Sequence, residues 1–319
     1  MLALFELSGE HATLPIAEIR GICEAEEIEC MEVYHNRIAI FEINDVKKIA
    51  ARVSMSHSIN EIIGIGGINE IEKVIKDMEL NGSFRIEVVN YDKKYDSYEL
   101  KKKFGKLVSD ITGCKVSIKN PQNIIKIFSY KKLYLTKEIA KIDRKQYEMR
   151  KAKIFQVPIS MHPRLARAMV NIARVKKSQI VVDPFCGTGT ILIEAALAGA
   201  KVIGIEAKNW IAEGCRENME YFGIDCKIYN DDMRNVDLKA DAVVTDFPYG
   251  RAAYVGEEIK KLYGEAFEKI DEWIESGYIM VGLSNRKEID IGKKFFELVE
   301  IHPYRVHKSL TRFFALFKK

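Results

Sequence analysis

Two short stretches hold the residues best suited to chemistry. Residues 183–190 read DPFCGTGT and follow a run of β-branched residues; residues 245–250 read TDFPYG and follow another. Gly187 and Gly189 let the backbone pass close to a ligand and admit positive φ. A phosphate-binding P-loop would need Gly-Lys-Ser/Thr at the start of the helix, and no lysine follows Gly189. A dinucleotide fingerprint would need a third glycine where Leu192 stands, and the Asp183 carboxylate would repel a pyrophosphate. S-adenosylmethionine fits better: it has a sulfonium and an α-ammonium group and no phosphate. Asp183 would accept hydrogen bonds from the ammonium group, with Phe185 beside it in the turn. Glu206 ends the next apolar run, 19 residues beyond Gly187, where a carboxylate grips ribose hydroxyls. Asp232 would accept from the adenine amino group, and Met233 would supply a backbone N–H and an apolar contact. Each acid alone could be only a helix or turn cap; three in order, beside a two-glycine turn, point to a cofactor site. Cys186 is read as a small residue that fits the turn.

Asp246 to Tyr249 would face the same crevice. An exocyclic amino group on a base is a weak nucleophile because its lone pair is delocalised into the ring. A carboxylate and a carbonyl side by side would hold both its hydrogens and aim the lone pair at a methyl donor. Asp246 supplies the carboxylate, and a carbonyl beside Pro248, that of Phe247, the second acceptor. Tyr249, helped by Phe247, would stack on a base drawn out of its helix. On its own, this stretch could equally be a turn with a buried aromatic residue. Arg251 could touch a phosphate beside that base or be a surface ion-pair partner.

The elements that must position these residues lie after Pro158, where strands and helices alternate. QIVVDPF, KVIGIEA, CKIYNDD, DAVVTDF and YIMVGLS read as strands. Helices are expected at about 188–198, 208–222 and 256–275, which implies a doubly wound α/β sheet. The chain then ends in FFELVEIHPYRVHK and TRFFALFKK, read as an antiparallel hairpin turning near Ser309-Leu310. Earlier, a strand at LALFELS, a helix over LPIAEIRGICEAE, and strands at ECMEVY and RIAIFEI around His35-Asn36 suggest a small α+β domain. Residues 84–129 form a further unit of a strand (FRIEVVN), a helix and two returning strands (CKVSIK, IIKIFS). Its helix is capped by Asp96 and Glu99, stopped by Gly113, and expected to bury Leu100, Phe104, Leu107, Val108 and Ile111. The expected domains are 1–132, a linker at 133–158, and 159–319.

With 319 residues, 47% of them apolar, the chain can bury a large core. No stretch approaches a membrane span, and its start has an acid in the apolar run and no basic leader, so no signal peptide is expected. Six scattered cysteines suggest reduced thiols and a cytoplasmic location. The histidines show no ligand spacing, and no metal is expected; His307 is read as structural. Net charge is only +4, but residues 1–82 hold 7 Lys/Arg against 15 Asp/Glu, and residues 101–153 hold 16 against 4. So basic a stretch suggests a polyanion-binding face, with Lys101, Lys102, Lys103 and Lys106 facing solvent. A solvated lysine-rich surface is the plainer alternative.

DPFCGTGT, GIEAKN, NDDM and TDFPYG resemble the motifs of amino-group methyltransferases of the D/N-P-P-Y class. Residues 84–129, with the ferredoxin-like units before them, resemble a THUMP domain, an RNA-binding module. PISMHPRLARAMVNIA (158–173) and HKSLTRFFALF (307–317) resemble the entering helix and closing hairpin of such enzymes. The chain as a whole is most similar to the archaeal tRNA guanosine-10 N2-methyltransferase family. The resemblance implies a class I methyltransferase domain that uses S-adenosylmethionine and methylates the 2-amino group of a guanine in tRNA. It also implies cofactor contacts at Asp183, Gly187, Gly189, Glu206 and Asp232, and base contacts at Asp246, Pro248 and Tyr249. Some members pair with a small zinc-binding activator protein along a sheet edge. Phe247 departs from the pattern, which has proline there. Methylation of guanine at another tRNA or rRNA position, N6-methylation of adenine, and a non-catalytic RNA-binding protein are the competing readings.

Overall fold

The computed structural model describes residues 1–158, 160–248, 257–307 and 310–319, excluding the side chains of 257, 307 and 310. Tyr249, Arg251, the His307 side chain and the turn at Ser309 therefore lie outside the described residues. Two compact units emerge. One comprises residues 1–12, 28–51 and 56–143; the other, residues 13–27, 52–55 and 144–319.

In chain order the first part runs β1 (Leu2–Leu7), α1 (Leu14–Ala25), β2 (Cys30–His35), β3 (Ile38–Ile43), α2 (Val46–Arg52), β4 (Ser56–Gly66), α3 (Ile68–Lys76), β5 (Phe84–Asn90), α4 (Ser97–Thr112), β6 (Asn123–Tyr130) and β7 (Lys132–Lys141). Its strands form one mixed sheet in the order β2-β3-β1-β4-β7-β6-β5. Helices α3 and α4 pack on the face that carries Ile86, Ile125, Ile127 and Leu135. The Asp96 carboxylate accepts from the Glu99 amide at 2.8 Å and starts α4, and Gly113, at φ 69°, ends it. Leu100, Phe104 and Val108 are buried as expected, and Lys101, Lys102, Lys103 and Lys106 are exposed.

Four sequence expectations need correction here. Ile111 is 43% exposed, one turn past the buried stripe. CKVSIK is not a strand: Val116 makes a single bridge to Phe84, and both Val116 and Ile118 are exposed, so its alternation covers no sheet face. The expected linker begins inside β7, which pairs with both β4 and β6. Its basic residues lie on the outer positions of a strand whose Leu133 and Leu135 are fully buried. The first helix belongs to the second unit. There α1 is buried on nearly every side, and Gly21 meets α6 so closely that a Cβ would fall 2.2 Å from the Asn171 carbonyl oxygen.

The second unit continues with α5 (Lys145–Lys151), α6 (Pro163–Ile172), β8 (Ile180–Asp183), α7 (Thr190–Leu197), β9 (Lys201–Ile205), α8 (Asn209–Tyr221), β10 (Cys226–Tyr229), β11 (Ala240–Asp246), α9 (Glu257–Trp273), β12 (Ile274–Leu283), α10 (Ile289–Gly292), β13 (Glu297–His307) and β14 (Leu310–Lys318). Strand order is β10-β9-β8-β11-β12-β14-β13. The first five strands are parallel, and β14 runs antiparallel between β12 and β13. Val181, Val182, Val243, Val244, Ile279 and Val281 are fully buried at its centre, as a sheet covered on both faces requires. The order reverses between β8 and β11, and in open α/β sheets that reversal opens a crevice beyond the strand ends.

Candidate active site

Asp183 ends β8 and Asp246 ends β11, and these two strands are parallel neighbours. The glycine turn and the acid-proline stretch therefore meet at the switch point. They are joined directly: the Thr245 hydroxyl donates to Asp183 Oδ1 at 2.6 Å. A cavity of about 340 Å³ opens above them, within the range of small-molecule sites. Asp183, Phe185, Gly187, Glu206, Asp232, Met233, Asp246, Phe247 and Pro248 all contribute to its wall. Thus six of the residues proposed for the cofactor share one cleft with Asp246, Phe247 and Pro248, whereas Gly189 is not part of its wall and Tyr249 lies outside the described residues.

Within the turn, Gly187 (φ 51°) has no atom within 4 Å of where a Cβ would stand, so its open side faces ligand space. Gly189 (φ 81°) plays a different part: a Cβ there would strike Met219 and Cys215 of α8. Lys153 Nζ donates to Thr188 Oγ1 at 2.7 Å and to Thr190 Oγ1, and so ties the turn down from outside. Asp183 is 1% exposed. Burial pushes its carboxyl up to about 7, the Thr245 hydroxyl and Phe185 amide pull it back, and the charge of Glu206 adds to the rise. A buried acid held near neutrality at a pocket wall suits a cationic partner. The Cys186 thiol is buried 4.0 Å from that of Cys215, and that neighbour, together with burial, raises its pKa.

Glu206 follows β9, and its Oε1 accepts from the Lys208 amide at 2.9 Å. Asp232 follows β10 and caps a single 3₁₀ turn. It also grips Arg234 through both oxygens, at 2.8 and 2.6 Å, and the guanidinium holds its carboxyl below the usual range. It is therefore both a cap and a cavity residue. Gly187, Glu206 and the ion-paired Asp232 line the crevice in the order a nucleoside with an amino-acid tail would need.

At the second station, Phe247 differs from expectation. Its ring is fully buried, with centroids 5.1 Å from Phe185, 4.9 Å from Tyr263 and 5.1 Å from Phe267, so it cannot stack on a base. Its amide donates to the Gly282 carbonyl at 3.0 Å. The Pro248 carbonyl accepts from the Tyr263 hydroxyl at 2.7 Å. The sequence reading missed Val157, Ser160 and Met161, which also line the cavity. They lie just before α6, in a stretch whose only legible signal was a helix start. Asp231 and Leu262 were likewise missed.

A doubly wound parallel sheet that closes with an antiparallel hairpin, with acids at successive strand ends, is the class I methyltransferase arrangement. A solved structure, TrmN from Thermus thermophilus, shares that fold at TM-score 0.62 and 17% identity, with 100% of each chain covered. A family model described as RMKL-like, methyltransferase domain, matches residues 150–313, and one described as DNA methylase matches residues 36–217. The chain is 31% identical to a tRNA (guanine(10)-N2)-dimethyltransferase of Methanothermobacter thermautotrophicus and 27% identical to one of Methanocaldococcus jannaschii. These alignments cover 98% and 99% of each protein. The chain belongs to the family of tRNA (guanine(10)-N2)-dimethyltransferases. It is an RNA methyltransferase, and its methyl donor is S-adenosylmethionine.

Proposed function

We propose that this enzyme methylates the 2-amino group of guanosine 10 in tRNA, adding two methyl groups as the names of its relatives state. The observation that carries this reading is the junction of Asp183 and Asp246 at adjacent strand ends above one cavity. When bound, S-adenosylmethionine supplies a methyl group on a sulfonium centre. Asp183 would hold its ammonium group, Glu206 its ribose hydroxyls, and Asp232 with Met233 its adenine. The target guanine leaves its stack to enter the cleft. In the first transfer Asp246 and the Phe247 carbonyl each accept one amino hydrogen, which aims the nitrogen lone pair into the cavity, and the Asp246 carboxylate takes up the proton the nitrogen sheds; once Asp246 has passed that proton to solvent, it accepts the one remaining N–H and takes up its proton in the second transfer. The Tyr263 hydroxyl already occupies the Pro248 carbonyl, which favours Phe247 as the second acceptor. Tyr249 would stack on the base, and Arg251 would touch a neighbouring phosphate.

The first unit, read as ferredoxin-like and THUMP modules, would hold tRNA through its phosphates and shape. The exposed row Lys101, Lys102 and Lys106 supports this. Lys103 Nζ is 2.6 Å from Glu72, so part of its charge is spent within the unit. Among the described residues no helix is long and apolar enough to cross a membrane, and the six free cysteines support a cytoplasmic location. A small zinc-binding activator would add along an edge of the catalytic sheet, of which β10 and β13 are the two edges; native mass spectrometry of the enzyme from its own cells tests for it.

The deciding experiment incubates the protein with an unmodified tRNA transcript and labelled donor, then measures methylated nucleosides. N2-methylated and N2,N2-dimethylated guanosine are expected, and both should vanish when position 10 carries inosine, which lacks the 2-amino group. N6-methyladenosine as the product would favour the adenine reading that the DNA-methylase match keeps in view.

A further inference from the structure

Asp246 is not alone at the end of β11. Arg312, on β14, is 6% exposed and donates from Nη1 to Asp246 Oδ2, with Nη2 against Oδ1. The fork spans both carboxylate oxygens, the geometry that best fixes a carboxylate plane. The two residues are two strands apart, and β12 lies between them. Asp246 pairs with Gly282 across β11 and β12, and Gly282 pairs with Phe314 across β12 and β14. Arg312, two residues before Phe314, shares its face and leans back over Gly282. A Cβ at Gly282 would fall 2.2 Å from Asp246 Oδ1 and 2.9 Å from Arg312 Nη2. The missing side chain is what lets the pair meet across the middle strand. The Arg312 guanidinium also lies over the Phe314 ring, 5.6 Å from its centroid. Burial lowers Arg312 to about 10, which still leaves it charged at neutral pH.

We infer that Arg312 is the positioning residue of the methyl-transfer site: through its fork it keeps Asp246 ionised and fixes the direction of the oxygen lone pairs left for the guanine amino group. The inference rests on the reading that Asp246 receives that group. A carboxylate offers about four acceptor directions. The fork takes two, which leaves the others for a group that enters the cavity Asp246 lines. A carboxylate neutralised in this way is a weak base and a well-aimed acceptor. It suits an amine that must be oriented before attack and loses its proton only once the new bond forms. Without the fork, Asp246 could turn about its side-chain bonds or protonate, and either change removes the acceptor.

Arg312→Gln and Arg312→Lys test this, alone and combined with Asp246→Ala, in steady-state assays with saturating donor and tRNA transcript. Arg312→Gln should lower kcat about a hundredfold, and Arg312→Lys about tenfold because it keeps the charge without the fork. Affinities for tRNA and S-adenosylmethionine should stay within about twofold. The acid limb of the kcat–pH profile should move to higher pH in Arg312→Gln, as the carboxylate loses its cationic partner. Combined with Asp246→Ala, neither substitution should slow the reaction further. A kcat within threefold of wild type, an unmoved acid limb, or a full additional loss in the double variant would overturn the inference. If Arg312→Gln does not fold, Arg312→Lys and the double variant that carries it give the same readouts. If Asp246→Ala itself retains turnover, the reading of the base site fails first, and that result is distinct from a failure confined to Arg312.

Discussion

The proposed contact of Asp183 with the donor's ammonium group would tie cofactor affinity to pH. Its carboxyl is pushed up to about 7 from an ordinary 3.8, so without a ligand it is about nine-tenths ionised at pH 8 and about one-tenth ionised at pH 6. An ammonium group binds the ionised form, so the wild-type Kd for S-adenosylmethionine should be about tenfold weaker at pH 6 than at pH 8 from this group alone. Asp183→Asn removes that dependence. Both described hydrogen bonds to the carboxylate, from the Thr245 hydroxyl and the Phe185 amide, reach Oδ1. An asparagine oxygen in that place keeps both and turns its NH₂ towards the ammonium. Calorimetric titration of both proteins at pH 6 and 8 is the assay. The donor's own α-amino group titrates near pH 8, but it does so for both proteins and cancels in their ratio. The ratio of variant to wild-type Kd should be about ten times larger at pH 8 than at pH 6. Stability should move the opposite way. Because the folded pKa lies above the unfolded one, the contribution of Asp183 is complete below pH 3.8 and is lost as pH rises to about 7. The ligand-free variant should therefore be more stable than wild type at pH 8, by about 4 kcal/mol at most. A Kd ratio that is the same at both pH values would remove Asp183 from the ammonium contact.

Asp246→Ala should reduce turnover about a hundredfold or more while tRNA binding persists; near-wild-type turnover under saturating tRNA would exclude it from the mechanism. Reversing the charges of Lys101, Lys102 and Lys106 should weaken tRNA binding and flatten its salt dependence, by about 0.9 in log–log slope for each duplex phosphate that is no longer neutralised. Lys103, already paired with Glu72, should contribute less, and an unchanged slope would make the helix an ordinary solvated face. Phe247→Pro should destabilise the fold by about 3 kcal/mol, because it empties an aromatic pocket and removes the amide bonded to Gly282. Activity per folded molecule should survive, since the carbonyl remains. Denaturation midpoints and turnover measured on the same samples separate the two effects.

What could be read from sequence followed from local rules. The acids at Asp183, Glu206, Asp232 and Asp246 were legible because parallel strands alternate with helices, which sends every strand end to one side of the sheet. The Asp96 cap and the Gly113 stop were legible for the same kind of reason: each acts within one turn of its own helix. The errors came where distant segments decide. Nothing local marks α1 for the second unit; its assignment depends on Gly21 meeting Asn171, 150 positions later. β7 reads as a connector because its lysines, Lys132, Lys137 and Lys141, obscure the pair Leu133 and Leu135. Arg312 read only as part of a closing hairpin, because its partner is 66 positions away and two strands across.

Phe247 shows how such distant neighbours change the meaning of a motif. In the sequence it is a departure from the proline pattern. In the structure its ring is fully buried in an aromatic cluster with Phe185, Tyr263 and Phe267. Its amide makes a bond to Gly282 that proline, having no N–H, could never make. The same Gly282 gives the space in which Arg312 reaches Asp246. The residue that departs from the pattern therefore helps anchor the end of β11 to β12 through its backbone amide. This strand end carries the Asp246 carboxylate and the Phe247 carbonyl, the two acceptors proposed for the amino group. A proline ring would instead have to stiffen the chain by fixing its own φ. The two residues reach the same end, a carbonyl held still beside a carboxylate, one through packing and a backbone hydrogen bond and the other through covalent constraint.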